Sequence, residues 1–237
     1  MKSLKCAIGS STKYDEQFAS ISHFQLYPEL YPWVGDFFGC QLARILVLGE
    51  SHYLKPVSEY HHNAAAWYAG INLQQKCDKG WINTRGIIAN GLRNKWRGKS
   101  KTIYRNIEAV AADAGLSALT NVSPFHSIAF MNYFQRPAQI SGKSIVVSSL
   151  DKNNSAKVLN SVLKTLSPQI VIFCSVLAWE NAQESVQEHQ DTRFAFTTHP
   201  ATRWWHTPMR KYKNKSGRQI FLETVQNSSL NHCILDA

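Results

Sequence analysis

Along this chain, short and wholly apolar runs alternate with longer stretches of helical spacing. The sharpest run is Arg44-Ile-Leu-Val-Leu48, which Gly49 stops abruptly. An Ile, Leu and Val run of this length reads as a buried strand of a parallel sheet. Glu50, Ser51, His52 and Tyr53 follow at once. In open α/β sheets ligands bind in the crevice beyond the carboxyl ends of the strands, so Gly49-Glu-Ser-His-Tyr53 stands where chemistry is expected.

Before Arg44, aromatics mix with prolines in His23 to Trp33, which reads as short turns covering the sheet. Leu54 to Lys101 shows no clear period and reads as loops and short helices. Ile103, Ile107, Val110 and Ala111 make an amphipathic stripe over Thr102 to Ala114, stopped by Gly115. Leu116 to Val122 reads as a second strand that carries Asn121 to its end, and Ile128 to Phe134 as a short helix or lid. A helix over Ser155 to Leu166 ends before Ser167-Pro168, Gln169 to Cys174 is a third strand, and Leu177 to about Glu188 is a further helix. Arg193 to Thr198 is the fourth strand, delivering His199-Pro200, and Ile220 to Leu230 is a closing helix. This alternation predicts a three-layer αβα sandwich around a short, mainly parallel four-stranded sheet with right-handed crossovers, in a single domain over 1–237.

Composition changes the picture in two ways. Lys and Arg outnumber Asp and Glu by 26 to 16, with a net charge of +10 and a pI near 9.4, which favours polyanionic partners. The five cysteines are widely spaced with no C-x-x-C pair. That spacing fits neither a disulfide framework nor a zinc ribbon nor an iron–sulfur site, so no cofactor and no metal are expected. The N-terminus does not resemble a signal peptide, and no stretch approaches the ~20 apolar residues of a membrane span. The expectation is a cytoplasmic protein with no membrane association.

Three strand ends thus present Gly49 to Tyr53, Asn121 and His199-Pro-Ala-Thr202. Together they resemble the uracil-DNA glycosylase superfamily, whose first motif is Gly-Gln-Asp-Pro-Tyr or Gly-Glu-Ala-Pro-Gly, whose central strand ends in a base-reading Asn, and whose last motif is His-Pro-Ser. The resemblance implies a DNA-repair hydrolase that cleaves the N-glycosidic bond of uracil or another deaminated base. It assigns Gly49 and Glu50 to the base carbonyl through their amides, Tyr53 to the pocket wall and Asn121 to the base edge. His199 would stabilise the anion of the departing base.

Two positions depart from the family. Ser51 stands where the most active members carry Asp, and His52 replaces Pro; Ser51 or His52 is the candidate for orienting water. The block Gly49-Glu-Ser51 also resembles the opening of SGNH-type serine esterases, with Ser51 as nucleophile, Asn121 as oxyanion donor and His199 as base. The Asp that such enzymes place just before this His is absent, since Phe196 and Thr197 stand there. A non-catalytic nucleic-acid-binding module is the third reading. Taken singly, Glu50 and Ser51 also fit helix caps, Asn121 a turn and His199 a structural histidine. His61 and His62 with His52 form a weak metal pattern that surface histidines also produce.

The stretch from Arg203 to Arg218 interleaves cations with aromatics. It marks Arg203, Arg210, Lys211, Lys213 and Lys215 as candidate phosphate contacts, and the resemblance, in whose family the loop after the last motif wedges a side chain into the duplex, implies that role for Trp204 or Trp205. Tryptophans packed beneath a solvated loop fit the same spacing. A second basic run, Arg93 to Lys101, is a candidate extension of that track.

Overall fold

Five short strands form one mixed sheet in the computed structural model of this chain, in the order β1-β3-β2-β4-β5. The structure describes residues 9–40, 43–71, 79–117 and 121–232, with side chains as far as 227. The strands are β1 (Trp33–Val34), β2 (Ile45–Gly49), β3 (Ala129–Asn132), β4 (Ile170–Phe173) and β5 (Arg193–Phe196). Before β2 lie the helices α1 (Asp15–Ala19) and α2 (Ser22–Leu26). Between β2 and β3 run α3 (Ala64–Tyr68), α4 (Lys79–Ile82), α5 (Thr84–Arg93) and α6 (Thr102–Asp113). Then come α7 (Ser149–Leu166) before β4, α8 (Val176–Asn181) and α9 (Gln183–Glu188) before β5, and α10 (Gly217–His232) at the end.

The apolar run is buried along its whole length because both faces of the sheet are covered. Leu46, Leu48, Met131, Val171 and Phe173 share one core with residues of α3 and α7, including Trp67, Leu159 and Val162. Their neighbours Ile45, Val47, Phe130, Ile170 and Ile172 point the other way, into a core with Ile88 of α5, Ile107 and Val110 of α6 and Phe221 of α10. Alternate residues of a strand face opposite sides of a sheet, and each side here is apolar.

Four strands were expected and five are present. β2, β3, β4 and β5 run parallel, while β1 pairs antiparallel with β3, with Trp33 opposite Phe130. At two residues β1 is too short to leave a periodic signal. The larger correction concerns β3. The expected strand over Leu116 to Val122 is absent from the described residues: Leu116 and Ser117 are irregular, Asn121 sits in a turn, and residues 118–120 lie outside the description. The expected helix or lid at Ile128 to Phe134 instead contains β3. A strand buried on both faces is a continuous apolar run, and periodicity alone cannot distinguish it from a buried helix.

Other elements moved less. The helix expected at Ser155 begins at Ser149, where Ser148 and Asp151 form a reciprocal capping box. The helix expected from Leu177 to Glu188 is divided into α8 and α9 around Ala182. Among the described residues, no helix is long and apolar enough to cross a membrane.

Candidate functional site

β2 is the centre of the sheet and its point of reversal, since the chain next adds β3 on one side and β4 on the other. Such a switch point leaves a crevice beyond the strand ends. A cavity of about 490 Å³ lies there, bordered by Gly49, Asn132, Cys174 and His199 from the ends of β2, β3, β4 and β5. Glu50, Ser51, His52 and Tyr53 also border it.

The backbone of the first motif is held by β3's continuation. Tyr133 N–H donates to Gly49 O at 3.0 Å, Phe134 N–H to Glu50 O at 2.9 Å and Ala138 N–H to His52 O at 2.9 Å. Gly49 is required by contact: a Cβ there would lie 2.2 Å from Asn132 Oδ1. The amide of Asn132 therefore rests on the glycine itself.

Glu50 supplies the carboxylate of the site. Ser175, directly after β4, donates from Oγ to Glu50 Oε2 at 2.7 Å, and its Oγ also accepts from Ala178 N–H at 3.2 Å as the cap of α8. Burial lowers the pKa of His199, and the nearby Glu50 charge opposes that shift. Burial, then the same charge, raises the phenol of Tyr53. His199 Nδ1 accepts the Ala201 N–H at 3.2 Å, which in the neutral ring puts the proton on Nε2. Asn106 of α6 donates from Nδ2 to Pro200 O at 2.7 Å and ties the His199 loop down.

The remaining motif residues are less available for proton transfer. His52 is buried, and its Nε2 lies 3.0 Å from Thr84 Oγ1. Burial, with a smaller contribution from Lys101, pushes it down to about 4, so the ring is neutral near pH 7. Ser51 Oγ is buried without a hydrogen-bond partner among the described residues. Cys174 is fully buried, which pushes its thiol up to about 12 and leaves it unreactive.

Asn121 does not join this group. It is exposed, in the left-handed region at φ 65°, in the turn that leads to the short helical turn at Pro124–His126. Asn132 ends β3 in the place expected for Asn121. The missed signal was the run Ala129-Phe-Met-Asn132, which has the form of an apolar strand with a polar residue at its end. Ser175 follows the same rule after Ile170–Phe173 and was also passed over.

The basic stretch divides. Arg203 and Trp204 follow the His199 loop, with the Arg203 guanidinium 4.0 Å from the indole centroid. Trp205 is fully buried against Phe221 of α10, so as a wedge it is excluded by packing. Arg210 is exposed in a turn, while Lys211 and Lys213 border a separate groove along β5 with Phe196 and Tyr212. His61 Nε2 and His62 Nε2 lie 3.1 and 3.0 Å from the carbonyls of Ala138 and Gln139. Among the described residues, no three His, Cys, Asp or Glu side chains cluster as metal ligands.

No family model matches the chain, and no curated protein matches it.

Proposed function

We propose that this chain is a three-layer αβα nucleic-acid hydrolase of the uracil-DNA glycosylase type, which takes an extruded, deaminated base into the cavity at the end of β2. The observation that supports this most is the convergence of Gly49 and Tyr53, Asn132 and His199 on one cavity from three strand ends. Asn132 takes the base-reading part first given to Asn121, because its amide supplies one acceptor and two donors at the cavity floor. Tyr53 walls the cavity.

In the reaction, water oxygen bonds to C1′ while the C1′–N bond breaks. The base leaves with the bonding electron pair and takes up a proton as the water loses one. His199 Nε2–H faces the charge that develops on the base, where a fixed donor is worth several kcal/mol in the transition state. Glu50, held by Ser175, is the carboxylate that orients the water and stabilises positive charge on the sugar, a part Ser51 cannot take and a neutral His52 bonded to Thr84 fills poorly. Arg203 and Trp204 contact the DNA strand beside the cavity. Loss of catalysis with DNA binding retained is the second form of this reading. The esterase reading has less support, because Ser51 Oγ makes no hydrogen bond to His199 and a backbone N–H occupies His199 Nδ1.

The test is strand cleavage after alkali with single- and double-stranded oligonucleotides carrying uracil, hypoxanthine or xanthine. Cleavage lost in Asn132→Ala and His199→Ala but kept in Asn121→Ala is the expected result. Binding without cleavage on every substrate leaves the binding module. Equal loss in Asn121→Ala and Asn132→Ala would remove the assignment of the base edge. Labelling of Ser51 by a serine-directed phosphonate would favour the esterase.

A further inference from the structure

The residues given to the base do not account for the whole cavity. At about 490 Å³ it falls in the range of ~300–1,000 Å³ that encloses ligands much larger than one pyrimidine ring. The rest of its wall combines apolar and aromatic side chains with cations: Trp81, Ile103, Tyr104, Lys55 and Lys101.

Of these cations, Lys101 is partly withdrawn from water. It sits immediately before α6, with its ammonium 5.7 Å from the centroid of the Tyr104 ring. Half-burial lowers its pKa, and no carboxylate contributes to offset the loss of water. Among the described residues, neither Lys101 nor Lys55 forms an ion pair. Most described lysines and arginines likewise form no ion pair; Lys101 differs from most of them in being partly buried at the cavity wall. A partly desolvated ammonium facing a cavity without a counter-charge costs free energy unless an anion arrives to pair with it.

We propose that the cavity encloses a whole nucleotide unit, base and phosphate together, with Lys101 and Lys55 on the phosphate. Trp81, 44 % exposed at the rim, and Tyr104 supply flat faces for the sugar and ring. The base end of this proposal rests on the function proposed above; the phosphate end does not. The nucleotide comes either from a free nucleoside 5′-phosphate or from a residue extruded from a strand, and the two sources share the phosphate ester that the lysines recognise.

Calorimetric titration of the full chain separates the cases. The probes are deoxyuridine and deoxyinosine, their 5′-monophosphates, and a short uracil-containing single strand, each against wild type, Lys101→Gln, the double variant Lys55→Gln/Lys101→Gln and Asn132→Ala. A charge-assisted contact predicts monophosphates binding ~10-fold or more tightly than nucleosides, with Lys101→Gln bringing the ratio towards one. Urea unfolding of the variants confirms that they fold. If only the oligonucleotide binds, and Lys101→Gln weakens it, the proposal holds with the strand as the source. Equal affinity for nucleoside and monophosphate, together with an oligonucleotide affinity that ignores both lysines, overturns it, as does absence of all binding. Tight monophosphate binding without base release leaves the nucleotide site standing and removes the glycosylase reading. Base release indifferent to the lysines does the reverse.

Discussion

The ion pair of Arg136 with Asp151 and the group formed by Glu50 and His199 at the cavity both lie just beyond the sheet and are built from titratable groups, and they are finished in opposite ways. Arg136 is 1 % exposed and Asp151 not at all. Arg136 donates from Nε to Oδ1 at 2.8 Å and from Nη2 to Oδ2 at 2.7 Å, and its other donors reach the carbonyls of His61 and Val146. Ser148 and Tyr68 complete the carboxylate. Burial alone would raise the Asp151 carboxyl, but Arg136 and Ser148 more than offset it and hold it low. At the cavity, among the described residues, Ser51 Oγ has no hydrogen-bond partner and Lys101 forms no ion pair. The Arg136–Asp151 pair is satisfied internally, whereas groups at the cavity retain unused hydrogen-bonding and charge capacity.

The contrast is most directly broken at Arg136. Arg136→Leu strands a buried carboxylate and should cost about 3–5 kcal/mol in urea unfolding. A cost under about 1 kcal/mol would mean that the pair does not hold the fold together.

A smaller effect is expected from pH. His52 and His23 are both buried and held down to about 4, against an ordinary value of 6.5. The unfolded chain therefore binds protons that the folded chain refuses as pH falls from 6.5 towards 4. Their contribution is complete above 6.5 and lost across that window, and Asp151, held low, extends the loss below 3.8. Urea midpoints measured from pH 7.5 to 4 should fall, and His52→Asn should flatten part of the slope. A midpoint constant over that range would mean that these rings charge freely.

Gly49→Ala tests the joint between the two strand ends. Overlap with Asn132 Oδ1 predicts a loss of about 1–3 kcal/mol in urea unfolding, with a larger proportional loss of ligand binding because the amide is displaced. Unchanged ligand affinity would separate Asn132 from the site.

The smallest effect belongs to the surface. Arg203→Ala should change stability by no more than about 0.5 kcal/mol. It should also reduce the salt slope of DNA binding by about 1, without altering preference among bases. A slope that does not move takes Arg203 off the DNA.

How much of this was legible before folding depends on how each residue declares itself. Gly49 to Tyr53 and His199 were readable because each follows an apolar run that stops at a polar residue, and both border the cavity. Trp204 and Trp205 are adjacent and chemically identical, yet one lies partly open under Arg203 and the other is sealed against Phe221. Their local sequence carries no information about which will be inside. Lys101 looks like one cation in a basic run, and only its position before α6 turns it toward the cavity.

Local pattern alone determined the central strand at Ile45–Gly49, the stripe of α6, the strands after Pro168 and Asp191, and the polar groups each delivers, since burial of continuous or periodic apolar positions is written in nearest neighbours. Tertiary structure alone decided that β3 is Ala129–Asn132 rather than the earlier run, and hence that Asn132 and not Asn121 borders the cavity with His199. A segment buried on both faces has no period to read, and its partner strands β2 and β1, which fix its conformation through hydrogen bonds, both lie far away in the chain, with Leu46 opposite Ala129 and Trp33 opposite Phe130.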